Sequence, residues 1–290
     1  MQSYICARCG AQFAETEGPP ERCPVCDEPR QYLGPKGQEW TTMAELARTS
    51  RNIFRPIEAG LTGISTEPAF AIGQRAMLIS TPAGNVLWDC LSYIDRATVQ
   101  EIRSRGSLAA IAVSHPHYYA SVVEWSRSFG GVPVYLHADD APWLMRSDPC
   151  VVHWEGERLE IAPGATLVRV GGHFPGSTVL HWRDGVAGRG SLHTGDSIYV
   201  VADKNWVSFM YSYPNLIPLA PEAVRRIVAS LEGFEFERIY GAWWDSVVQA
   251  DAKRVLAASA ERYIAAIGGR PPSADGRFIG SGSLPRAALA

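Results

Sequence analysis

The chain has 290 residues, 46% of them hydrophobic and 20% charged, and a formal net charge of -3. That length fits one sizeable domain with an appendage, and the composition is that of a globular protein rather than a disordered one. The charge balance excludes a strongly basic nucleic-acid or anionic-membrane binder. No apolar stretch is long enough to span a bilayer, and Met1-Gln2-Ser3-Tyr4 does not start a signal peptide, so a cytoplasmic location is expected.

Four of the six cysteines are clustered, in Cys6-Ala7-Arg8-Cys9 followed by Gly10 and in Cys23-Pro24-Val25-Cys26, with thirteen residues between Cys9 and Cys23. Paired Cys-x-x-Cys knuckles bring four thiolates onto one tetrahedral ion. Residues 1–36 therefore read as a small four-cysteine module that takes its folding energy from the metal. The stretch resembles a rubredoxin-like or zinc-ribbon module. Structural zinc with a docking role is the favoured reading, and it leaves room for a protein partner or self-association through the module. Iron carrying electrons is the alternative, since four-thiolate sites accept both metals. Tyr4, Phe13, Tyr32 and Trp40 would pack around it. Cys90 and Cys150 stand alone and read as buried small hydrophobes.

Residues 37–53 read as a linker followed by one short helix capped by Thr41 or Thr42. From residue 54 the pattern turns to short strands. Residues 76–80 and 86–89 flank a Pro/Gly/Asn turn and predict a hairpin. Asp95 caps a helix to about residue 104. Leu108–Val113 is a buried strand ending in Ser114-His115-Pro116-His117, and the spacing of Tyr118, Val122, Trp125 and Phe129 predicts a helix over 118–129. Further strands are expected at 132–136, 166–170, 177–182, 191–193 and 238–240. Pro221 opens a helix ended by Gly233, and a last helix is expected over 247–267. Residues 269–290, rich in Gly, Pro, Ser and Ala, read as a flexible tail.

His115, His117, His173 and Asp196 each follow an apolar run and a small-residue turn. Neutral imidazoles and a carboxylate suit zinc or iron. Ser114-His115-Pro116-His117, Gly172-His173 and Thr194-Gly195-Asp196 together resemble the motifs of the metallo-β-lactamase superfamily. The resemblance covers residues 54–268 and implies an α/β (α+β) fold, an αββα four-layer sandwich with its metal cleft at one edge of the two sheets. Three positions depart from the family pattern. Where it has an aspartate, a histidine and a late histidine, this chain has Tyr119, Ala120 and Ala242. Those residues hold the family's second metal, so the resemblance implies one metal, held by His115, His117 and His173, with Asp196 as fourth ligand or base.

Such a site implies a hydrolase using a mononuclear metal-bound hydroxide on an ester, thioester, lactone or amide of an apolar or aromatic small molecule. Asp196 would orient the nucleophile. Tyr118 or Tyr119 would donate to a developing oxyanion, with packing the favoured role for Tyr118 and a cleft-facing role expected of Tyr119. Trp206, Phe209, Tyr211, Tyr213, Trp243 and Trp244 are the expected substrate-binding aromatics, with Lys204 as a candidate anchor for a carboxylate. Two alternatives stay open: a mononuclear iron redox enzyme served by the rubredoxin-like module, and a non-catalytic binding module that keeps the fold.

Overall fold

Alternation along the strands builds the layers. In strand Ala76–Thr81, Met77 and Ile79 point to one side while Ala76 and Leu78 point to the other. Strand Gly84–Trp88 divides in the same way, Val86 and Trp88 against Leu87. On the facing sheet, Leu180 and Trp182 oppose Val179, and Tyr240 opposes Ile239. Three separate apolar clusters result. Met77, Ile79, Val86 and Trp88 meet Leu167, Leu180, Trp182 and Tyr240 between the two sheets. Leu78, Leu87 and Ile111 pack under Ile102, Val122 and Trp125 of the helices on one outer face. Val168, Val179, Leu192 and Ile239 pack under Val224, Ile227, Val255 and Leu256 on the other. The order of layers is helix, sheet, sheet, helix, as the family resemblance implies.

The computed structural model describes residues 1–268, so the expected tail at 269–290 lies outside the described residues. One sheet has seven strands and the other six, both mixed. In the first, Gly84–Trp88, Leu108–Ala112, Val134–His137 and Val151–Trp154 run parallel. The hairpin at 76–88 is tighter than expected, with Thr81 paired to Gly84 across two turn residues. Asp95 caps helix Arg96–Ser104 by accepting a hydrogen bond from the Thr98 amide at 2.7 Å. Helix Pro221–Ser230 starts at its proline and buries Val224 and Ile227.

Two helices differ from expectation. The segment 118–129 divides into a 3-10 turn, Pro116–Tyr118, and an α-helix, Val122–Ser128. The break is at Ala120, whose φ of 48° no right-handed helix accommodates. The last helix begins at Ala252, because Val247–Val248 is drawn off as an edge strand paired with Ile239 and Tyr240.

The segment 37–53 is more than a linker. Trp40–Thr42 pairs with Gln2–Cys6 as the third strand of the N-terminal sheet, and the large sheet starts at Arg51 in strand Arg51–Glu58. Between them, Thr42 caps helix Met43–Thr49 by accepting from the Glu45 amide. Phe13 and Trp40 pack edge to face at 4.9 Å, the aromatic contact expected of the module. Cys90 is fully buried and Cys150 half-buried.

Candidate metal centre and its cleft

His115 and His117 follow strand Leu108–Ala112 of one sheet. His173 and Asp196 follow Ala165–Arg169 and Ser191–His193 of the other. Strand ends on both sheets thus meet at one edge, and all four side chains are buried with ligand atoms within 4.8 Å of one another. Pro116 fixes the turn that separates the two histidines and lets both point inward.

The outer atoms of the imidazoles set their tautomers. His115 Nδ1 donates to Ser114 Oγ at 2.8 Å, and Ser114 Oγ donates to Asp89 Oδ1 at 2.7 Å. His173 Nδ1 donates to the Met210 carbonyl at 3.2 Å. Both Nε2 atoms therefore offer lone pairs to the interior. His115 Nε2 is 3.2 Å from Asp196 Oδ2, and His173 Nε2 is 3.2 Å from His117 Nδ1. Ligands at 2.0–2.1 Å around a tetrahedral zinc stand about 3.3 Å apart. His115 Nε2 is buried and makes no hydrogen bond within the protein. Donor set, tautomers and spacing all fit a divalent ion.

Burial drives the electrostatics. It pushes the His173 imidazole down to about 3 and His117 well below its ordinary range, with the neighbouring histidines adding to the effect. Burial also pushes the Asp89 carboxyl up to about 7, against the pull of the Ser114 amide. For Asp196, burial works upward, but the adjoining His115 and the Tyr118 hydroxyl hold the carboxyl below its ordinary value.

The four-cysteine cluster passes the same test. Cys6, Cys9, Cys23 and Cys26 are buried with all sulfurs within 4.8 Å. Two Sγ pairs, Cys6 with Cys26 and Cys9 with Cys23, stand 3.6 Å apart. A disulfide needs about 2.05 Å, whereas thiolates 2.3 Å from a tetrahedral ion stand about 3.8 Å apart.

This module lies against the metal site and walls its cleft, although no sequence pattern indicates it. The amide of Gln12 donates to the carbonyl of Ala120 at 3.0 Å, so the module docks at a position where the family motif departs. Ser92 Oγ donates to the Gly10 carbonyl at 2.9 Å, and Ser212 Oγ to the Arg30 carbonyl at 3.0 Å. Arg30 Nε donates to the carbonyl of His173 itself, while the guanidinium lies 4.3 Å over Phe174 and 4.5 Å over Tyr211. The resulting cleft, about 340 Å³, has His117, His173 and Asp196 at its floor and Arg8, Arg30 and Tyr32 of the module on one wall.

The other predicted residues distribute unevenly. Tyr213 and Trp243 line the cleft, joined by Tyr199 and Ile72. Phe209 is buried in the core beneath the C-terminal helix, and Trp206 packs under Arg262. Tyr211 carries the Arg30 stack, and Trp244 sits between Arg55 and Arg75 with Nε1 donating to Ser65 Oγ. Lys204 is half-buried outside the cleft lining.

The two tyrosines take different positions. Tyr118 Oη donates to Asp196 Oδ1 at 2.6 Å, so it orients a candidate ligand rather than only packing. Tyr119 is buried in the core under the module, beside Ala11, Gln12 and Trp143, and stays out of the cleft. Ala242 is buried in the same core cluster. Arg8, Arg30, Asp89 and Ser114 are not singled out as functional by the sequence, although Arg8 and Ser114 stand inside the Cys-x-x-Cys and Ser-His-Pro-His motifs. Only the serine's place directly before His115 could have drawn attention.

No family model matches the chain. Solved structures do, including the DIM-1 metallo-β-lactamase, with a TM-score of 0.54 and 13% identity over 71% of this chain and 97% of that one. VMB-1 gives 0.54 and 13% over 72% and 95%, and the mono-zinc form of FIM-1 from Pseudomonas aeruginosa gives 0.52 and 16% over 72% and 95%. At such identities the likeness shows the fold alone. The uncharacterized protein YmaE of Bacillus subtilis (strain 168) is 48% identical over 269 residues, spanning 92% of this chain and 97% of that protein. The chain belongs to the family of YmaE, and its large domain has the metallo-β-lactamase fold.

Proposed function

We propose that this protein is a metal-dependent hydrolase acting on an ester, thioester, lactone or amide of a small organic molecule. The observation that carries the reading is the convergence of His115, His117, His173 and Asp196 on one point, with His117, His173 and Asp196 lining a cleft of small-molecule size. A divalent ion held there supplies Lewis acidity and lowers the pKa of a water it binds. The protein supplies the rest. Ser114 and the Met210 carbonyl hold two imidazoles in the ligating tautomer. Tyr118 occupies one oxygen of Asp196 and leaves the other beside His115, which suits Asp196 to ligation more than to accepting a proton. Tyr199, Tyr213 and Trp243 give the cleft aromatic walls that hold an organic substrate and limit access of bulk water.

The test is metal analysis combined with ester hydrolysis. Wild-type protein purified without added metal should carry two ions per chain and hydrolyse activated aryl esters. His173→Ala should lose one ion and at least about a hundredfold in rate while the cysteine-bound ion stays. An unchanged metal content, or hydrolysis that survives metal removal, refutes the reading. Iron with visible absorbance in the histidine site would support the redox alternative. An ion held at the cysteines alone would support the binding module.

A further inference from the structure

The four-cysteine module contributes the only arginine or lysine side chains among the described residues that line the cleft, Arg8 and Arg30. They differ in how far they are engaged. Arg30 is buried and uses Nε on the His173 carbonyl and Nη1 on Glu28. Arg8 makes no ion pair among the described residues, and its Nε is buried without a hydrogen-bond partner. The one carboxylate in the lining is Asp196, whose oxygens are already engaged by Tyr118 and His115. A guanidinium held at a cleft wall with a buried donor unfilled is costly unless something occupies it.

The knuckle explains how such an arrangement is held. Arg8 lies inside Cys6-Ala7-Arg8-Cys9, whose ends are fixed by the Gly10 amide donating to the Cys6 carbonyl at 2.8 Å and the Cys6 amide donating to the Ala11 carbonyl at 3.0 Å. Gln12 and Gly10 then bond the module to the large domain. The backbone that carries the Arg8 side chain is thereby fixed beside the cleft. Sharing the cleft with it are Tyr199, Tyr213 and Trp243 of the large domain and Tyr32 of the module.

We propose that Arg8, assisted by Arg30, is an anion-recognition site that the four-cysteine module presents to the metal cleft, and that the ligand is a small organic oxyanion with an aromatic or apolar body. The planar fork of arginine matches a carboxylate or a phosphate monoester, and the aromatic wall takes the body of the molecule. As a statement about substrate this rests on the hydrolase reading. As a statement about binding it does not.

Calorimetry on full-length, zinc-loaded protein tests it with three small probes, each checked for turnover: benzoate, phenyl phosphate and neutral benzamide. Arg8→Gln should weaken whichever anion binds by roughly ten- to hundredfold and leave benzamide unchanged. Arg8→Lys should recover part of the loss. Arg8→Met, matched in length, serves as the second neutral variant, and the zinc content of every variant is measured to establish that the knuckle has formed. The larger of the two anion losses identifies carboxylate or phosphate as the group recognised. The proposal is overturned if both neutral variants bind both anions within twofold of wild type, or if wild type binds benzamide as tightly as either anion. Arg8-dependent anion binding in a protein that cleaves no ester would refute the hydrolase and keep this inference. Ester hydrolysis with Arg8-independent anion binding would do the reverse.

Discussion

Ser114→Ala removes the middle of the chain from Asp89 to His115. The serine hydroxyl accepts from His115 Nδ1 at 2.8 Å and donates to Asp89 Oδ1 at 2.7 Å, and all three side chains are buried. Asp89 keeps the Ser114 amide at 2.8 Å, so it stays partly satisfied. His115 Nδ1 has no second partner and becomes an orphaned donor. That loss costs about 1–3 kcal/mol, and a value near 2 kcal/mol lowers Tm by roughly 4–8 °C in a domain of this size. The substitution also frees the ring to rotate and to change tautomer, which should weaken the domain metal by about ten- to hundredfold. Urea denaturation at fixed free zinc reads the first effect, and competition with a chromophoric chelator reads the second. The cysteine-bound metal is the internal control and should not change. A stability loss below about 0.5 kcal/mol together with unchanged chelator competition would show that the hydroxyl does not hold His115, and the reasoning would fail.

Three further outcomes follow from other parts of the molecule. Gly195 has φ +55° and a Cβ there would collide with Ser114 Oγ, so Gly195→Ala should displace that hydroxyl and reproduce the metal loss of Ser114→Ala. Wild-type metal affinity in that variant would refute the steric argument. His193 is fully buried, and burial, with the charge of Arg75, pushes its imidazole down to about 3. Because the folded value lies below the unfolded one, the unfolded chain takes the proton first as pH falls. Stability should therefore decline from about pH 6.5 towards pH 3, and His193→Gln should flatten that slope by up to about 1.4 kcal/mol per pH unit, an expectation that equal slopes in urea titrations would contradict. Cys23→Ser should empty the cysteine site and unseat the module, so limited proteolysis should cut first within residues 1–50. Protection equal to wild type would show that docking does not need the metal.

How much the sequence discloses depends on the range of the interaction. The layers are legible only through the family resemblance, because the apolar runs at 76–80 and 86–89 announce strands, while which of their residues face the other sheet appears only in the packing of Met77, Ile79, Val86 and Trp88. The ligands are legible because each follows an apolar strand, so that chain position approximates spatial position. The contact of Tyr118 with Asp196 is not legible, because its spacing from Val122 and Trp125 fits a helical face and the bond from its hydroxyl to Asp196 spans 78 residues with no local trace. The break at Ala120 is hidden for a different reason. Alanine is a strong helix former, and only the backbone bond from Gln12 to its carbonyl accounts for the turn. The module's place over the cleft is set by hydrogen bonds between Gly10, Gln12 or Arg30 and distant loops and by Ile72, Trp143 and Met145 packed against its cysteine cluster. Such contacts have no period, so the two arginines that wall the cleft escape any pattern-based search.

Docking of the first residues against Ser92, Met145 and Ser212 has a consequence for synthesis. The cysteines leave the ribosome early, while the surface on which their module docks is complete only once about residue 215 has been made. At 5–20 residues per second, that leaves the module undocked for roughly ten to forty seconds. During that interval only its small sheet and its ion can hold the knuckles together, so the time at which the module captures its metal decides whether a folded wall or four loose thiols awaits the rest of the chain.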